Sequence, residues 1–221
     1  MPGKHVRFST QNTYHSSDNS PSRTFTPPSN AFTNLPTSAP HAPRRSYTDP
    51  SAGKACAHNL LAQRSTPLLS YDLTLHPSSV TTHYHGLSSA SMSEPAVYPP
   101  QPTLTIQCSH LPCLGPEIQQ WSFTVPASNR RYVTVADVLS SLYHGLRTHI
   151  TPAEFQALST PKLMRRVGSA YAARYRRLEG HRGYAHEKAS GVRRVDYLMG
   201  CNEFRGLTST STPGVWRLHV A

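Results

Sequence analysis

Acidic side chains are scarce in this sequence: 11 Asp and Glu stand against 22 Lys and Arg, giving a formal net charge of +11. Lysine is scarce too, since 18 of the 22 basic residues are arginine. No stretch approaches the ~20 apolar residues of a membrane-spanning helix, so a membrane protein is not expected. The opening Met1–Phe8 lacks the apolar core of an export signal, and its Ser-rich, acid-poor continuation is interrupted by prolines that spoil an amphipathic import helix. An intracellular protein, cytoplasmic or nuclear and not secreted, is the expectation, with Cys56, Cys108, Cys113 and Cys201 as reduced thiols. No Gly-x-Ser-x-Gly elbow, phosphate-cradling glycine loop, dinucleotide fingerprint or His-Glu-x-x-His is present, and no carboxylate pair has a spacing suited to general acid–base work. No catalytic residue and no cofactor is therefore expected.

What is abundant is Pro, with 20 residues, together with Ser, Thr and His. Residues 1–65 alternate these with isolated aromatics, and Pro27-Pro28, Ala39-Pro40 and Ala42-Pro43 break any regular element. Burying so polar a segment does not offset the entropy of ordering it, so it reads as a disordered basic tail. A single domain is expected over 66–221, with a mobile Ser/His/Pro-rich loop at about 76–102.

Within that domain, Leu69, Tyr71, Leu73 and Leu75 alternate with Leu68, Ser70, Asp72 and Thr74, a strand pattern. Thr103–Cys108 and Trp121–Val125 alternate likewise and suggest a hairpin. Thr134 and Asp137 form a capping box in front of Val135, Val138, Leu139, Leu142, Tyr143 and Leu146, a helical stripe. Thr151-Pro152-Ala153-Glu154 opens a second helix and Thr160-Pro161 restarts it. Val195, Tyr197 and Met199 suggest a fourth strand, and Trp216, Leu218 and Val220 a fifth. The order β-β-β-α-α-β-β predicts an α+β domain: a mainly antiparallel sheet of about five strands with two to three helices on one face. A ubiquitin-like β-grasp built from the hairpin and the Thr134 helix is the alternative topology.

The strings Pro67–Leu73, Val133–Tyr143, Thr151–Phe155, Gly191–Leu198, Phe204–Leu207 and Val215–Leu218, in this order, resemble an uncharacterised domain family of mushroom-forming fungi, a domain of unknown function of the 6699 type. Lys4–Phe8 also looks like the openings of such proteins. The resemblance implies a basidiomycete source and one compact domain behind a disordered tail. It implies no activity, cofactor or site residue.

Three sites merit a place. Lys4, Val6 and Phe8 have the basic–x–Val–x–Phe form of a protein-phosphatase docking peptide, which adds as a strand to a sheet edge. Cys108, His110 and Cys113 offer thiolates and an imidazole at metal-ligand spacing, although Cys108 also lies on an apolar strand face where cysteine is usually core. Residues 162–194 hold ten basic and two acidic side chains; Arg165, Arg166, Arg174, Arg176 and Arg177 are candidate contacts to an anion or a nucleic-acid backbone, with Tyr171 or Tyr175 stacking on bases. Asp196 reads as an internal partner of an arginine, and Trp121, Trp216 and Tyr143 as core. The expected function is a non-enzymatic protein-binding or scaffold module. A nucleic-acid-associated protein using the Arg-rich helix face is the first alternative, and an enzyme of unrecognised type the second.

Overall fold

A computed structural model describes residues 55–82, 87–108, 121–158 and 160–221. Short elements come first: β1 (Cys56–Ala57), β2 (Leu69–Ser70), a 3-10 turn (Pro77–Ser79), β3 (Thr81–Thr82), α1 (Ser89–Ser93) and β4 (Val97–Tyr98). Then follow β5 (Thr103–Cys108), β6 (Trp121–Pro126), α2 (Val135–Leu146), α3 (Pro152–Gln156), α4 (Pro161–Arg176) and α5 (Gly183–Ala189). A 3-10 helix (Arg194–Leu198), β7 (Phe204–Ser209) and β8 (Val215–Val220) complete the chain.

The principal sheet has four strands in the order β6-β5-β8-β7. β5 and β6 pair antiparallel, as do β7 and β8, while β5 and β8 run parallel in the middle. Two antiparallel pairs joined through a central parallel pair, with a helix in the crossover, is the connectivity of the β-grasp alternative. The class is α+β as expected. One face is apolar: Leu104, Ile106 and Cys108 of β5 lie beside Val125, Phe123 and Trp121 of β6, and Ile106 faces Trp216 of β8. Thr105 and Gln107, Ser122 and Thr124, and Arg217 alternate onto the other face, the pattern of a sheet covered on one side.

Helix α2 covers the apolar face. Thr134 accepts from the Asp137 amide at 3.1 Å and Asp137 accepts from the Thr134 amide at 2.9 Å, so two otherwise unpaired amides are capped reciprocally. Val135, Val138, Leu139, Leu142 and Leu146 are buried. A Cβ built at Gly145 would stand 3.1 Å from the Phe123 ring, so the glycine lets α2 approach β6 closely.

Four expectations change. The Leu68–Leu75 pattern yields only β2; the chain then turns as the Asp72 carboxylate accepts from the Thr74 amide at 2.8 Å. Leu69, Tyr71 and Leu73 are nevertheless buried, so the alternation reports burial rather than a long strand. Val195–Met199 is no strand but the 3-10 helix and its cap; Val195, Asp196, Tyr197 and Leu198 are all buried, and the Asp196 carboxylate accepts from the Arg193 amide at 2.9 Å. The missing strand is β7, concealed because a register shift between Phe204 and Gly206 sets its buried residues Phe204 and Leu207 three apart. The principal sheet thus has four strands, not five.

The fourth change concerns boundaries. Residues 55–65, read as tail, are built into the domain. Leu61 is fully buried, and His58 accepts from the Leu60 amide through Nδ1 at 3.2 Å, which leaves Nε2 to donate to Glu94 at 3.0 Å. Much of 76–102, read as a loop, is held by backbone bonds such as Ala96 amide to Val133 carbonyl at 2.8 Å, with Ala96 and Val97 fully buried.

Candidate functional site

Helix α4 begins at Thr160, whose hydroxyl accepts from the Leu163 amide at 3.3 Å, with Pro161 at a position where no amide is needed. One side of it, Val167, Tyr171, Ala172 and Arg174, is buried. The side bearing Lys162, Arg165, Arg166, Ser169, Ala170, Ala173 and Arg177 lines a groove of about 590 Å³. These positions recur at three- and four-residue steps, which places them in a row along the helix. The opposite lip is Val195, Asp196, Met199, Gly200 and Asn202, from the end of the 3-10 helix and the turn after it, with Thr74 at one end. Met199 and Gly200 both have positive φ, 51° and 98°, and this pair of left-handed residues turns the chain toward β7.

Beneath the groove lies an ion network that fixes its walls. Arg174, 6% exposed, donates from Nε to Asp196 Oδ1 at 2.8 Å and from Nη2 to Asp196 Oδ2 at 2.9 Å. The same Nη2 reaches the Gly191 carbonyl at 2.8 Å, and Nη1 donates to Glu187. Glu187 also accepts from Arg193 at 2.8 Å and lies 3.5 Å from Arg147. Arg147 in turn donates to the Thr74 carbonyl at 3.1 Å and stacks on the Tyr143 ring at 4.3 Å.

Burial pushes the Glu187 carboxyl upward, but the Arg193, Arg174 and Arg147 guanidiniums outweigh this and hold it below the ordinary range. Burial opposes the Arg174 charge, yet Asp196 and Glu187 hold its pKa above the usual value. His149, beside this network, is held below its ordinary pKa by burial and then by the Arg193 charge. Its Nδ1 is buried with no partner among the described residues.

The five arginines expected as anion contacts therefore separate. Arg165 and Arg166 stand exposed on the groove wall, and exposed Arg177 bounds it while donating to Asp72 at 3.1 Å and to the Thr74 hydroxyl. Arg176 is exposed but does not line the groove. Arg174 is corrected outright: its donors are spent internally, so it braces the groove rather than contacting a ligand. Tyr171 and Tyr175 do not face the groove. They pack edge-to-face at 5.0 Å, Tyr175 meets Tyr184 at 5.7 Å, and the buried Tyr171 donates to the Lys188 carbonyl.

Sequence reasoning did not single out Lys162, Ser169, Met199 or Asn202. Lys162, Arg165 and Arg166 carry a legible signal, since i, i+3 and i+4 on one helix are neighbours. The far lip had none, because Val195–Met199 reads as a strand.

Of the metal candidates, Cys108 is buried in the apolar face of β5, where burial pushes its thiol up to about 12 against the pull of Arg194. A thiol so held resists the deprotonation that zinc binding requires. His110 and Cys113 lie outside the described residues, as do Lys4, Val6 and Phe8 and the rest of 1–54. Among the described residues no cluster of three His, Cys, Asp or Glu is placed to hold a metal, and no helix is long and apolar enough to cross a membrane.

The model of one protein family, described as being of unknown function, matches residues 69–214, a span that contains every groove residue. No curated protein and no solved structure matches the chain.

Proposed function

The chain belongs to the Family of unknown function (DUF6699), and since that membership brings no activity with it, we propose from the geometry of the groove that the protein is a non-enzymatic binding module for an acidic segment of a partner protein. The observation that carries this reading is the composition of the groove. Four cations, Lys162, Arg165, Arg166 and Arg177, line it beside Arg174 and Asp196, which are paired with one another. Ala170, Ala173, Val195 and Met199 supply apolar surface between those charges. A peptide that alternates carboxylates with small apolar side chains matches both features.

A nucleic acid is the second reading, favoured by exposed Arg165, Arg166 and Arg176 on one helix. Against it, single-strand binders stack bases on aromatic rings, and among the described residues no aromatic side chain lines this groove. We further place the source among basidiomycetes, from the order of motifs, and the protein in the cytoplasm or nucleus. Docking of a phosphatase through Lys4, Val6 and Phe8 belongs to the same reading as a second contact; Phe8→Ala is expected to abolish binding of the purified phosphatase, and unchanged affinity overturns it.

The test is fluorescence anisotropy of labelled acidic peptides on the full chain. Arg165→Glu combined with Arg166→Glu weakens binding by roughly tenfold or more, while Arg131→Glu, an exposed cation away from the groove, leaves it nearly unchanged. Equal affinity of the three proteins rules the groove out. Binding to single-stranded DNA that is tighter, and that collapses steeply with salt, transfers the case to nucleic acid.

A further inference from the structure

We infer that the groove is built for a phosphorylated serine or threonine of the partner, held by Lys162, Arg165 and Arg166; this rests on the acidic-segment reading above and narrows it to one chemistry. The three residues occupy positions i, i+3 and i+4 at the start of α4, so Lys162 neighbours both Arg165 and Arg166 on the helix surface, with Cβ atoms about 5–6 Å apart. All three line the same groove, which gathers three cations at the start of the helix.

A carboxylate presents one charge and two oxygens. A phosphomonoester presents nearly two charges and three acceptor oxygens at neutral pH. A guanidinium fork on Arg165 able to take a pair of oxygens, with the Arg166 charge and a compact ammonium beside it, matches the second and exceeds the first.

The rest of the groove agrees. Among the described residues Asp196 is the only carboxylate on its wall, and Arg174 holds both of its oxygens, so the incoming dianion meets a neutralised acid. Arg177 is tied to Asp72 and Thr74 and closes the opposite end. Ser169 and Asn202 add uncharged hydrogen-bonding groups between the two ends. A volume of about 590 Å³ accommodates the modified side chain together with its neighbours along the peptide.

The experiment uses the full chain and three pools of short degenerate peptides that differ only in a fixed central residue: phosphoserine, glutamate or serine. Anisotropy is read at several pH values. The phosphoserine pool is expected to bind roughly tenfold more tightly than the glutamate pool. That advantage fades as pH falls through about 6, where the phosphate loses its second charge. Arg165→Gln or Arg166→Gln removes most of it, while Arg131→Gln does not.

Equal affinity for phosphoserine and glutamate overturns the inference and leaves the acidic-segment reading standing. Failure of all three pools to bind overturns both. A single-stranded oligonucleotide that displaces the phosphoserine pool at lower concentration than the peptide itself also overturns it, in favour of nucleic acid.

Discussion

Arg174 and Arg176 stand two residues apart on the same helix and read identically in sequence, yet the fold gives them opposite work. Arg174 is buried and answers two carboxylates and a carbonyl. Removing it leaves Asp196 and Glu187 as buried charges short of a partner, a loss of roughly 3–5 kcal/mol. Arg176 is exposed, and its removal stays within about 0.5 kcal/mol. Urea denaturation of Arg174→Ala and Arg176→Ala measures the contrast, and similar midpoints for the two variants contradict it.

The same network sets the response to acid. Both Glu187 and His149 have depressed pKa values in the fold. For Glu187 the charged form is favoured, so its contribution is present above the unfolded carboxyl value of about 4.3 and is lost as pH falls through the lower folded value. For His149 the neutral form is favoured, so its contribution is complete above about 6.5 and fades below it. The urea midpoint is expected to fall in two steps on acidification, and His149→Gln flattens the first step while sparing the second. A midpoint that rises between pH 7 and 5 (about the upper step) is incompatible with this assignment.

At the level of elements, β7 shows how an irregularity carries packing. Gly206 has φ +116°, and a Cβ there would stand 2.5 Å from the Gln63 amide nitrogen and 2.7 Å from the Ala62 carbonyl carbon. Backbone lies against backbone at this point, so no side chain can swing away. Gly206→Ala is expected to cost roughly 1–3 kcal/mol, through the strained φ alone, and to pull residues 61–63 off the sheet. Thermal unfolding with amide exchange at Gln63 and Leu207 reads both effects, and unchanged protection at Gln63 argues against the contact.

This bulge also explains what the sequence concealed. The α2 stripe and the capping boxes of Thr134 with Asp137 and of Thr151 with Glu154 were legible because each depends on near neighbours. β5, β6 and β8 were legible from strict alternation. β7 was not, since its buried residues shift by one across the bulge, and Val195–Met199 mimicked a strand because four successive buried residues, Val195 to Leu198, leave no exposed face there to betray the 3-10 period. Half of the groove was therefore readable, the cationic row of α4. The other lip depended on tertiary placement of Met199, Gly200 and Asn202, which no local pattern encodes.

For the whole molecule the decisive question is where the domain begins, and polar composition around residue 60 gives a misleading answer. Leu61, Ala57 and His58 are enclosed, and the segment from His58 to Gln63 runs along β7 as a strap. The Leu207 amide donates to the Leu61 carbonyl at 2.7 Å, and the Gln63 amide donates back to Leu207 at 3.2 Å. The strap thus covers what would otherwise be an open sheet edge, a template for pairing with another chain. A chain starting at Thr66 loses the burial of Leu61, worth about 2 kcal/mol, together with these backbone bonds and the half-buried His58–Glu94 contact. Relative to a chain starting at Ala55, it is expected to be less stable by roughly 3 kcal/mol or more and to self-associate through the bared β7 edge. Urea unfolding and light scattering of the two chains decide the matter: equal midpoints and equal monomer mass would mean that residues 55–65 contribute nothing to the domain.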